Sequence, residues 1–170
     1  GPLREAMDNL NVSLTAMYQK EADLLFSDPR SARNEYIDLI LDRSEERLEW
    51  FTTRHLFPGF SSDQKEKALK LLEIQRHALL MYTSCGWFFD EISGIETNQI
   101  LQYALRAMDY AHDVNGTDLH NAFIQRLSLA PSNVLPNGAV SFQQNVIPTR
   151  VTLERVATHF AVASLFEDDP

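Results

Sequence analysis

One cysteine, six glycines and no long apolar run set the first limits on this 170-residue chain. A lone cysteine cannot close an internal disulfide, so a reducing compartment is expected. No stretch of about 18 consecutive apolar residues occurs, which excludes a transmembrane helix. The N-terminus turns polar almost at once and carries no signal-peptide pattern, so a cytoplasmic location is expected. Basic residues are also scarce: 15 Lys and Arg stand against 24 Asp and Glu, for a formal net charge of −9. A nucleic-acid partner requires clustered cations, and the densest basic run (Lys65, Lys67, Lys70) is interleaved with acids. Neither nucleic acid nor membrane is expected as a partner, and a neutral one fits better. Alternating apolar and polar residues, the mark of half-buried strands, are missing as well.

What remains is helical periodicity. Hydrophobic residues make up 44% of the chain, enough for a domain with its own core or for one part of a longer protein. The first helix is predicted from about Leu3 to Phe26, with Leu3, Met7, Leu10, Leu14, Met17, Ala22 and Leu25 on its buried stripe. Asp28-Pro29 pairs an N-cap with a first-turn proline. It opens a second helix read as continuous to His55, with Arg43-Ser44 as the place for a break. Ser61 and Gln64 have capping-box spacing and start a third. That helix is amphipathic at first and apolar on every side from Ala78 to Tyr82. A helix apolar all round is buried all round, so its end is expected to deliver Thr83-Ser84-Cys85-Gly86 to an interior or a cleft floor.

Ser93 and Glu96 repeat the capping-box spacing and open a central helix, about Ile95 to His112, stopped by Asn115-Gly116. A short helix follows from about Leu119 to Leu129. Beyond the turn-forming stretch Pro131 to Gly138, Ser141 to Val146 reads as a short helix. A final helix starts at Pro148 and carries Val151, Leu153, Val156, Ala157, Phe160, Ala161 and Phe166. Nothing repeats at a fixed period. The fold class is all-α, a helical bundle of five to seven helices with no significant sheet, expected to form a single helical domain over residues 1–170.

The chemistry concentrates in Gln75 to Gln99. Tyr82, Trp87, Phe88 and Phe89 crowd against Asp90, Glu91 and Glu96 around a Cys85-Gly86 hinge. Flat apolar faces beside hydrogen-bonding carboxylates suit a sugar-like ligand, and core packing is the competing reading of the same aromatics. Trp87, Asp90, Glu91, Cys85, Tyr82, Arg76 and His77 are therefore the candidate substrate-binding residues. No catalytic residue is assigned. Glycoside hydrolysis needs two carboxylates roughly 5 to 9.5 Å apart across one bond, whereas Asp90 and Glu91 are neighbours diverging by about 100° on a helix, and Glu96 is occupied as a capping residue. Cys85 and His77 lie about 12 Å apart along a helix, too far for a nucleophile and its base. The five histidines show no i, i+4 pair of the helical zinc type. Neither metal nor other cofactor is expected.

The run LLEIQRHALLMYTSCGWFFDEISGIETNQILQYALRAMDYA, Leu71 to Ala111, resembles a domain of unknown function that follows the catalytic region in proteins related to glycoside hydrolase family fifty-seven. PLREAMDNL near the start, DPRSARNEYIDLILDRSEER in the second helix, LAPSN at Leu129 to Asn133 and VATHFAVASLFE near the end agree with it. The resemblance implies a helical accessory domain packed on a catalytic barrel of the same parent chain, facing a carbohydrate substrate of the α-glucan type. It supplies no catalytic carboxylate at any position here. A non-enzymatic helical interaction module that docks a partner protein or domain through its aromatic block is the alternative.

Overall fold

The computed structural model describes residues 1–166. Among them are eight α-helices and no strand: α1 Pro2–Ala22, α2 Pro29–Leu41, α3 Glu45–His55, α4 Ser62–Leu80, α5 Ile95–Asn115, α6 His120–Leu127, α7 Gly138–Ser141 and α8 Leu153–Ala163. The all-α class is as expected, and the helix number exceeds the expected range for two reasons. The second predicted helix breaks, and a single turn forms at α7. Glu167, at the close of the last motif quoted above, lies outside the described residues.

Local signals explain most boundaries. Asp28 accepts hydrogen bonds from the amides of Arg30 and Ser31, both at 3.0 Å, with Pro29 opening α2. Ser61 and Gln64 form the reciprocal capping box of α4, with N–O distances of 2.8 and 3.2 Å. At the far end of α5, Gly116 takes the left-handed conformation (φ 76°) that any side chain would disfavour, and its amide closes on the His112 carbonyl.

Four expectations are corrected. The predicted long helix to His55 is two helices, because Asp42 turns extended and Ser44 caps the next helix by accepting from the Arg47 amide. Tyr36 and Phe51 are buried, one on each of the two helices, while Ile37 and Leu41 face outward. At α5, Gly94 rather than Ser93 is the N-cap and no side chain caps it, so Glu96 has no capping role. The end of α4 is not buried all round either: Met81 is fully enclosed, but Leu79 is 72% exposed, lining a groove rather than a packed interface. Finally, the last helix starts at Leu153 with Thr152 as N-cap, five residues later than expected, and buries none of its residues.

The core sits between α1, α4 and α5, with α4 and α5 sharing the most extensive contact. Ala104, Ala107 and Ala111 on α5 are fully buried beside Ile100, Leu101 and Met108. Small residues alternating with large ones let the two long helices approach and interdigitate. This makes α5 the central helix and fixes both ends of the segment between Met81 and Gly94.

Candidate functional site

That segment is built on a short 3-10 turn, Ser84–Trp87. Gly86 is the point of closest approach to α5: a Cβ there would lie 2.3 Å from Cγ2 of Ile100. The Thr97 hydroxyl donates to the Gly86 carbonyl across the same contact (3.2 Å). Only a residue without a side chain lets the loop press down on the central helix. Gly86 is buried while Ser84 and Cys85 stand exposed, so of the two places expected for this stretch, an interior or a cleft floor, Cys85 does not reach the interior. Its thiol lies 3.8 Å from the Thr83 hydroxyl.

Trp87 is a half-buried fastening. Its indole N–H donates to the Met81 carbonyl (3.1 Å), closing the end of α4 onto the loop. Its ring stacks parallel to Tyr82, with centroids 6.2 Å apart. The Arg4 guanidinium sits 4.6 Å from the Tyr82 centroid and 5.4 Å from that of Trp87, within cation–π range of both. The Tyr82 hydroxyl donates to Asp8 on α1 (2.8 Å). Burial, then the neighbouring Asp8 carboxylate, push this phenol up to about 12, so it stays a donor. Tyr82 and Trp87 thus tie the loop to α1 and α4, and the indole donor is already engaged.

The two acids part company. Glu91 accepts from the Ser132 hydroxyl (2.6 Å), the Ser93 amide (2.8 Å) and the Asn133 amide (2.6 Å). These bonds, that of Ser132 foremost, pull its carboxyl down to about 2. It staples the aromatic loop to the loop after α6, and both its oxygens are in use. Asp90 is exposed. Beside it the rings of Phe88 and Phe89 meet edge to face, centroids 5.1 Å apart, at 81% and 56% exposure.

Arg76 and His77 belong to a different place. Arg76 donates to Glu73 (2.9 Å), whose other oxygen accepts from the Tyr36 hydroxyl (2.5 Å). Burial would raise the Glu73 carboxyl, yet these donors hold it below its ordinary value. His77 bonds through Nδ1 to the Glu73 carbonyl (2.8 Å) and faces the edges of Tyr103 and Tyr110. Burial lowers its pKa, which keeps the imidazole neutral. The seven candidate residues therefore form two groups: Tyr82 to Glu91 at the loop, and Arg76 with His77 between α2 and α5.

Two features escaped the sequence. Asp109 on α5 meets His120, the first residue of α6, at 3.1 Å, and Arg150 at 2.9 Å, over a depression of about 600 Å³. Separations of 11 and 41 residues leave no motif to read. Burial would raise the Asp109 carboxyl, but both partners lower it. Hydrogen bonds to Asp109 and Asp118 raise the His120 pKa. The second feature is a groove of about 650 Å³ between α1, α2 and α4. No cluster of three or more His, Cys, Asp or Glu suited to a metal ion occurs among the described residues, and no helix there is long and apolar enough to cross a membrane.

No curated protein and no solved structure matches the chain. The profile of one family, described as a domain of unknown function (DUF3536), matches residues 1–170. The match spans every residue, loop and helices alike, and the chain belongs to the DUF3536 family.

Proposed function

We propose that this chain is the helical accessory domain of a family fifty-seven-like glycoside hydrolase or glycosyl-transferring protein. It docks on the catalytic barrel of the same parent chain through its aromatic loop. The observation that carries the reading is the pair Phe88 and Phe89, exposed side by side on a loop braced at Gly86, Trp87 and Glu91. Adjacent exposed rings on a rigid support mark an interaction surface, and holding them in place beforehand removes part of the ordering cost of binding. The resemblance of Leu71 to Ala111 names the neighbour. Asp90 stands at the edge of this surface, where it can accept hydrogen bonds from sugar hydroxyls at the domain seam. Trp87 and Glu91 support the loop rather than touch the substrate.

A second reading keeps the surface and changes the occupant to a separate partner protein. The exposed apolar residues of α8, with Leu153 at 87% and Phe160 at 72%, favour it by adding a second apolar surface to that of the loop. The test is to titrate the chain with the separately expressed barrel. Saturable association is expected, weakened about tenfold or more when Phe88 and Phe89 are both changed to Ser. Unchanged affinity in that variant would remove the loop from the interface, and absence of association would favour the separate partner.

A further inference from the structure

The groove between α1, α2 and α4 has an unusual lining for so acidic a chain. It carries two arginines, Arg33 and Arg76, and no carboxylate, although the sequence holds 24 Asp and Glu. Most of its exposed surface is apolar, with Ile37, Ile40 and Leu79 among the contributors. Arg76 is partly neutralised by Glu73 at 2.9 Å. Arg33 has no carboxylate partner among the described residues; its guanidinium reaches only the Asn34 amide oxygen at 3.5 Å. The third observation is independent of charge. Gln75 lines the groove at 7% exposure, and its Nε2 is buried without a hydrogen-bond partner.

A buried amide donor left unpaired is costly. The last torsion of a glutamine side chain is soft, so this amide can swing to meet an acceptor that enters the groove. An apolar channel with one unpaired cation at its rim and one orphaned donor in its wall fits a particular kind of guest: an aliphatic body ending in an anionic acceptor. We infer that the groove is a binding site for an aliphatic carboxylate, its chain lying along Ile37, Ile40 and Leu79 and its head between Arg33 and the Gln75 amide. A cationic amphiphile would meet the two arginines and no acid. A neutral alcohol would satisfy the amide but leave Arg33 unpaired.

Decanoate below its aggregation concentration is the probe, added to the full chain and followed by NMR at the Gln75 side-chain amide and the Ile37 and Leu79 methyls. The expected result is saturable shifts at these groups with half-saturation below about 1 mM. Decan-1-ol and the variant Arg33→Ala are expected to bind about tenfold more weakly, since a charge-assisted hydrogen bond is lost, and decylammonium not at all. Ile37→Glu places a carboxylate on an exposed wall and is expected to abolish binding without unfolding the chain. Equal binding of decylammonium, or an unaltered affinity in Arg33→Ala, would overturn the inference. So would non-saturating shifts spread over Phe88, Phe89 and α8, which would mean that the surfactant coats any apolar surface.

Discussion

The indole of Trp87 and the phenol ring of Tyr82 lie within 7° of parallel, one turn of chain apart. Each also has its polar atom tied to a different helix, Trp87 to the end of α4 and Tyr82 to Asp8 on α1. The two aromatics hold the loop and leave Phe88 and Phe89 to present outward. This division of labour predicts opposite outcomes for neighbouring truncations. Trp87→Ala is expected to lose about 2 to 3 kcal/mol of stability, the low end for a core aromatic because the ring is only half-buried. Phe88→Ala is expected to stay within about 0.5 kcal/mol of wild type. Urea unfolding of the two variants checks both, and equal losses would contradict the assignment.

Gly86 and Ile100 supply the second prediction. A methyl group at position 86 has nowhere to go, since it would meet Ile100 at 2.3 Å. Gly86→Ala is expected to cost about 1–3 kcal/mol by overpacking. Combined with Ile100→Ala, which vacates that space, the loss is expected to fall clearly short of the sum of the single losses. Additive losses in the double-mutant cycle would mean that the close approach is not what excludes a side chain there.

A third prediction concerns pH. Folding raises the His120 pKa above its ordinary 6.5 through the hydrogen bond to Asp109 and then that to Asp118, against the opposing effects of burial and Arg150. A group whose pKa rises on folding contributes fully below its unfolded value, and the contribution fades as pH climbs through the folded value. The Tm gap between wild type and His120→Ala is therefore expected to be widest near about pH 5.5 and to narrow towards about pH 8. Asp109 and Asp118 are held below their ordinary value of 3.8, so their own protonation falls outside this window. A gap that stays constant across the range would contradict the geometry.

Glu91 gives the fourth. With its carboxyl pulled down to about 2, the staple to Ser132 and Asn133 is expected to persist through mildly acidic conditions. Glu91→Ala is expected to speed hydrogen exchange at the amides of Asn133 and Leu135, which the Glu91–Ser132 junction now holds. Unchanged exchange there would show that the loop after α6 keeps its shape without the acid.

The legible part of this molecule was whatever local chemistry decides. The caps at Asp28 and Ser61 and the stop at Gly116 each depend on a few adjacent residues, and each is as read from the sequence. The rest depends on partners distant in the chain. Nothing near Glu91 announces that Ser132 and Asn133 will occupy it. From the sequence the indole of Trp87 reads as a sugar platform or as core packing, and neither reading contains its hydrogen bond to the Met81 carbonyl. Arg76 and His77 precede the loop by only a few residues, yet the helix turns them toward Glu73 and the α5 tyrosines. The apolar residues of α8 are legible as such, but not that the helix buries none of them, since periodicity gives a face and not what covers it.

The direct test of the docking proposal is hydrogen exchange on the chain alone and with the catalytic barrel proposed as its neighbour. Protection is expected to appear at Phe88 to Asp90 on association, while the amides lining the groove of Gln75 and Arg33 remain as they were. Protection confined to any other face, with Phe88 and Phe89 exchanging as freely as before, would contradict it.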